Sequence, residues 1–75
     1  GYTISELLRF NDVWVAEEAQ KLAGVCISKD LGMNWTDIAV LYVLPASRGR
    51  GIGAELYTAA WKRASERGRH IFTLS

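Results

Sequence analysis

The chain has 75 residues, near the lower limit for a self-supporting core, and its apolar fraction of 49% is that of one globular domain and excludes a disordered chain. No apolar run approaches the roughly 20 residues of a membrane-spanning helix, and a single cysteine, Cys26, makes no internal disulfide and, with one histidine, no Cys/His metal set. The net charge of +1 conceals an asymmetry: residues 1–46 carry Arg9, Lys21 and Lys29 against Glu6, Asp12, Glu17, Glu18, Asp30 and Asp37, whereas residues 47–75 carry Arg48, Arg50, Lys62, Arg63, Arg67 and Arg69 against Glu55 and Glu66. A basic half of this kind suits a phosphorylated ligand or, as a rival, nucleic acid. No signal-peptide pattern opens the chain, so a cytoplasmic setting is expected, with no metal. A first residue Gly1 instead of methionine suggests a trimmed or partial chain.

Tyr2 to Phe10 carries a short helical pattern, with Ser5 as a cap and Ile4, Leu7 and Leu8 on one face. Asn11 and Asp12 punctuate the chain. Val13 to Glu17 then reads as a strand, Glu18 to Lys21 as a hairpin turn, and Leu22 to Ser28 as the returning strand. Gly24 in that strand marks a bulge or a close-packing point. Cys26, in an apolar strand, reads as an inert buried thiol. Lys29 to Thr36 is expected to be a connection, with Trp35 covering one end of the core.

Ile38 to Leu44 is an almost continuous apolar run closed by Pro45, the pattern of a buried strand. A turn with Gly49, Gly51 and Gly53 interleaved among Arg48 and Arg50 follows, and then a helix ending before Gly68. Ile52, Leu56, Ala59, Ala60 and Ala64 form its core-facing stripe, flanked by Tyr57 and Trp61, while Lys62, Arg63, Glu66 and Arg67 read mainly as a solvated face. After Arg69 and His70, Ile71 to Leu74 reads as a further strand, joined to the apolar strand by a parallel crossover.

The turn carries the chemistry. The first amides of a helix have no intrahelical acceptor and point outward at the positive end of its dipole. Glycines let that backbone approach a ligand closely, and two guanidiniums beside it favour a phosphate group. Ser47 and the early glycines are alternative partners for these amides, because glycines before a helix also serve as plain turn residues. The spacing is not that of a Walker loop, since no Lys-Ser or Lys-Thr follows the last glycine, nor that of the full dinucleotide fingerprint.

The spacing is Arg48-x-x-Gly51-x-Gly53, directly after Tyr42-Val43-Leu44-Pro45. This arrangement closely resembles the coenzyme A pyrophosphate motif of the GNAT superfamily of N-acetyltransferases. The earlier run VAEEAQKLAGVCIS resembles the hairpin before that family's cofactor strand. The resemblance implies a truncated α/β fold with a mixed sheet, of order β-β-β-α-β after a short helix, forming one partial domain over residues 1–75 that binds acetyl-CoA. It implies main-chain contacts from Leu41 and Val43 to the pantetheine arm, with Tyr42 between them facing away. It also implies pyrophosphate contacts from Gly49, Arg50, Gly51, Ile52, Gly53 and Ala54, together with Arg48.

Transfer to an amine further needs a base and a proton donor. Ala39 and Val40 stand where a glutamate is common in the family, so Asp37 is the candidate carboxylate. The tyrosine that often serves as the acid falls beyond the last strand, and no residue is assigned. Three functions stand: acetyl transfer to an amine of unknown identity, a CoA-binding module without transfer, and a small nucleic-acid-binding domain. The chain reads either as part of a larger enzyme or as a minimal chain that pairs with a second copy across its open sheet edge.

Overall fold

A computed structural model describes residues 1–8 and 12–72, with the side chains of Leu8 and Phe72 outside the description. The strands are β1 (Thr3–Leu8), β2 (Asp12–Glu18), β3 (Lys21–Gly32), β4 (Trp35–Val43) and β5 (His70–Phe72), with a 3-10 turn over Pro45–Ser47 and helix α1 (Ile52–Glu66) between β4 and β5. They form one sheet in the order β1-β2-β3-β4-β5. The first four strands are antiparallel, and β5 returns parallel to β4 after α1. The expected mixed sheet with a helical crossover is thus the fold. The expected end of the last strand, Thr73 and Leu74, lies outside the described residues.

The N-terminal segment differs from its expectation. Thr3–Leu8 is a strand, not a helix, and pairs with β2 from Thr3↔Glu17 to Leu8↔Asp12. A helix this short is marginal alone, whereas the ladder satisfies the backbone and places Ile4 opposite Ala16, against the core. The other members of the expected helix, Arg9 and Phe10, and the punctuating Asn11 lie outside the described residues.

The expected connection at Lys29–Thr36 is mostly strand. β3 runs on to Gly32 and β4 begins at Trp35, leaving Met33 and Asn34 as a two-residue turn with φ of +52° and +66°. The first hairpin closes in the same way at Ala19 and Gln20, with φ of +51° and +64°. Two consecutive left-handed residues give the turn whose twist matches paired strands, so the ladders continue to the tips. Asp30 reinforces the second tip by accepting the Gly32 amide at 2.7 Å.

Three irregularities shape the sheet. Ala16↔Gly24 is followed by Glu17↔Leu22, so Ala23 is an extra residue in β3; Ile27↔Val40 is followed by Ser28↔Ile38, so Ala39 is an extra residue in β4; and Asp30↔Thr36 is followed by Gly32↔Trp35, so Leu31 is extra near the hairpin tip. Each bulge bends its strand. Gly24, beside the first, is a close-packing point. A Cβ there would stand 3.0 Å from the carbonyl oxygen of Tyr42 and 3.1 Å from Cδ1 of Leu56.

α1 lies on one face of the sheet. Its Ile52, Leu56, Ala60 and Ala64 are buried as expected, the first three in one cluster with Trp14 and Ala16 of β2, Cys26 of β3 and Ile38 of β4. Ala59 and Tyr57 pack at the margin, while Trp61 is 53% exposed. The opposite face of the sheet aligns Leu7, Val13, Ile27 and Val40 in one cross-strand row and Val15, Val25 and Tyr42 in the next. Leu7, Val40 and Tyr42 are exposed there.

The charge asymmetry resolves into cross-links within the molecule. Arg63 pairs with Glu6 at 3.2 Å, Arg67 with Asp12 at 2.9 Å, Arg69 with Asp30 at 2.6 Å, and Arg50 with Glu18. Arg63 and Arg67 therefore do not belong to a merely solvated helical face. They tie α1 to β1 and to the start of β2. Among the described residues, Arg48 and Lys62 are the bases of the second half left without a carboxylate partner.

Candidate functional site

The end of β4 is held by the Leu44 amide, which donates to the Ala23 carbonyl at 2.9 Å. Pro45 then opens the 3-10 turn, in which Ser47 N–H donates to Leu44 at 2.8 Å and Arg48 N–H to Pro45 at 3.4 Å. Ser47 is buried but makes no side-chain cap, contrary to the alternative left open by the sequence. Gly49 and Gly51 follow with φ of +82° and +79°, the left-handed region where a side chain is strained. Gly51 is the N-cap of α1 and offers no side chain to its amides.

The first hydrogen bond of α1 is from the Glu55 amide to Gly51 O at 3.1 Å. The amides of Gly49, Arg50, Gly51, Ile52, Gly53 and Ala54 donate to no acceptor in the described residues. A Cβ at Gly49 or Gly51 would meet nothing within 4 Å, so the amides open onto free space. At Gly53 it would touch Cγ2 of Val43 at 3.4 Å, which seats the helix start against the strand end. Successive unpaired amides at a helix N-terminus form an anion cradle.

The two arginines of the turn behave differently. Arg48 donates through Nε to the Val43 carbonyl at 2.9 Å, and its guanidinium carbon lies 5.5 Å from the centroid of the Tyr42 ring. Its charge is uncompensated beside the cradle. Arg50 instead turns back to the tip of β2 and grips Glu18 with both terminal nitrogens, Nη1 donating to Oε2 at 2.6 Å. This pairing holds the Glu18 carboxyl below its usual range. The Tyr2 phenol is pushed up first by the Glu55 carboxylate in the first turn of α1 and then by desolvation.

β4 gives the site its second feature. β5 pairs with β4 only at Trp35, Thr36 and Asp37. Beyond that point the β4 edge from Ile38 to Val43 faces no strand among the described residues, and β4 carries its bulge at Ala39. Leu41 pairs with Cys26 and Val43 with Gly24, so both share the sheet face that carries α1, while Tyr42 projects from the other. Leu41 is 44% exposed. An open strand edge accepts an extended ligand by main-chain hydrogen bonds.

Asp37 is half-buried in the paired part of β4, opposite Lys29 on one side and Phe72 on the other. Cys26 is completely buried, and desolvation pushes its thiol up to about 11, so it is no nucleophile at neutral pH. His70 begins β5, where its amide donates to Asn34 O at 2.7 Å and its ring lies 5.2 Å from that of Trp35. Trp35 is itself 42% exposed at that end of the sheet. No group of three or more His, Cys, Asp or Glu side chains gathers among the described residues. No helix among them is long and apolar enough to cross a membrane. Sequence reading missed Glu18 and Tyr2 as neighbours of the turn, and no local signal marks them, since Glu18 is 32 residues from its partner.

A mixed sheet whose last strand returns parallel to β4 through α1, with a Gly-Arg turn leading into that helix, makes an α+β architecture. The acetyltransferase (GNAT) domain model matches residues 9–75, and the chain belongs to that family. Among solved structures, it is similar to an aminoglycoside acetyltransferase from an uncultured soil metagenomic sample, with 26% identity and a TM-score of 0.81 over 91% of this chain and 49% of that one. It is also similar to N-acetylglutamate synthase from Neisseria gonorrhoeae, crystallised with coenzyme A and N-acetyl-glutamate, with 26% identity and a TM-score of 0.78 over 84% of this chain and 15% of that one. A GNAT family acetyltransferase from Elizabethkingia anophelis with acetyl-CoA bound shares the fold, with a TM-score of 0.82 at 12% identity over 96% of this chain and 63% of that one. The chain thus spans about half the length of the first of these relatives. No curated protein gives a significant match.

Proposed function

We propose that residues 1–75 form the acetyl-CoA-binding unit of an N-acetyltransferase. The observation that carries this reading is the run of unpaired amides from Gly49 to Ala54 beside the uncompensated guanidinium of Arg48. A pyrophosphate accepts several hydrogen bonds at once and carries the charge that such a site favours. Its pantetheine arm extends along the open edge of β4 with main-chain contacts from Leu41 and Val43. A strand amide there polarises the thioester carbonyl. The metagenomic aminoglycoside acetyltransferase makes polyamino sugars the first acceptors to test.

In transfer, the neutral amine attacks the thioester carbon, a C–N bond forms, and the C–S bond breaks to release the thiolate. The ammonium proton passes to a base and the thiolate takes up a proton. Asp37, reached through water, is the carboxylate offered for the first role. Free thiol released from acetyl-CoA by the 75-residue chain, dependent on an added aminoglycoside, polyamine or peptide amine, supports this reading. Binding of acetyl-CoA with no thiol release from any amine favours a CoA-binding module without transfer, the reading supported by Ala39 and Val40 in the middle of β4.

The nucleic-acid reading is weakened by the internal pairing of Arg50, Arg63, Arg67 and Arg69, which leaves no continuous basic face. Reduced, buried Cys26 suits a cytoplasmic setting. The exposed apolar rows of the sheet suit association with a second copy, which a sedimentation mass of two chains would support and a mass of one chain would refute.

A further inference from the structure

We propose that Glu18 is a specificity-determining residue of the anion cradle, which withholds Arg50 from the bound phosphate. This inference rests on the reading of the turn as a coenzyme A site. Arg50 lies between two of the free amides of the turn, yet both its terminal nitrogens are committed to Glu18 at the tip of β2. The pair is partly open to solvent, with 43% and 33% of the two side chains exposed. A pair so placed is weak enough to be exchanged for a stronger anion.

The consequence is a cradle that presents one uncompensated guanidinium, that of Arg48, where the sequence offers two. Recognition then depends more on the directional amides and the β4 edge, and less on bulk attraction. A ligand with pyrophosphate but no pantetheine gains little from such a site. Freeing Arg50 raises the affinity for any polyanion, and raises it most for those that use charge alone.

The experiment compares the binding of coenzyme A and of inorganic pyrophosphate by the wild type, Glu18→Gln, Glu17→Gln, and the double variant Glu18→Gln/Arg50→Gln, at several salt concentrations. Glu17 lies in the same strand and has no arginine partner among the described residues, so its substitution removes the same charge without freeing Arg50. Glu18→Gln is expected to bind pyrophosphate about three- to tenfold more tightly than the wild type, with a steeper salt dependence. Coenzyme A should gain less. The double variant should lose the gain, and Glu17→Gln should show little of it. Equal or weaker pyrophosphate binding by Glu18→Gln, or an equal gain in Glu17→Gln, overturns the role of Glu18 alone. Failure of every protein, wild type included, to bind coenzyme A overturns the cofactor reading and this inference with it.

Discussion

Arg48 Nε donates to the carbonyl oxygen of Val43 at 2.9 Å, which ties the Gly-rich turn to the last residue of β4. The bond joins the two halves of the proposed site, the anion cradle and the open strand edge, through one side chain. A lysine retains the charge but has no donor at the Nε position. Arg48→Lys is therefore expected to weaken coenzyme A binding about tenfold while the thermal midpoint moves little, because one exposed hydrogen bond contributes about 1 kcal/mol. Titration and a melting curve on the same sample check this. Unchanged affinity would show that charge alone carries the contribution of Arg48.

Gly24 and Gly51 should respond to alanine for different reasons. At Gly24 the new methyl meets the Tyr42 carbonyl oxygen at 3.0 Å and Leu56 at 3.1 Å, so β3, β4 and α1 must move apart, at about 1–3 kcal/mol. At Gly51 it meets nothing, and the loss is the strain of a left-handed residue, about 1 kcal/mol. Denaturant unfolding measures both losses, and only Gly51→Ala should also lower affinity for coenzyme A at a temperature where both variants are folded.

The Glu18–Arg50 pair gives a pH signature with a definite sign. The folded-state pKa of Glu18 lies below the ordinary glutamate value of 4.5, so its stabilising contribution is present above about pH 4.5 and is lost as the pH falls through the folded value. The difference in thermal midpoint between the wild type and Glu18→Gln should be constant from pH 6 to 8 and shrink below pH 4. A difference that persists undiminished at low pH would assign the effect to packing and not to the charge of Glu18.

Cys26 should resist thiol reagents in the folded protein. It is fully buried and its thiol is pushed up to about 11, so thiolate is scarce at pH 8. A disulfide reagent should label it at the rate of global or local opening, and quickly only in denaturant. Rapid labelling in native buffer would contradict its place under α1.

β4, the turn and α1 were legible in the sequence because their signals are local. The apolar run to Pro45, the glycines at 49, 51 and 53, and the stop at Gly68 each act within a few residues. Thr3–Leu8 was misread because Ile4, Leu7 and Leu8 fit a short helix as well as a strand, and only the ladder to β2 decides between them. The long β3–β4 hairpin was missed because its turn uses Met33 and Asn34 in left-handed conformations without a glycine at either position. The charge asymmetry pointed outward in the sequence and inward in the fold, since Arg67 finds Asp12 across 55 positions and Arg69 finds Asp30 across 39. No spacing rule reaches that far.

The central claim is that the turn from Arg48 to Ala54 holds the pyrophosphate of coenzyme A, and a calorimetric titration of the 75-residue chain with acetyl-CoA tests it most directly. An Arg48→Glu/Gly51→Glu variant, which places two carboxylates at the cradle, serves as the comparison. The account predicts saturable binding near one ligand per chain in the wild type and none in the variant at the same concentrations. Absence of binding by the folded wild type, or equal binding by the two proteins, would contradict it.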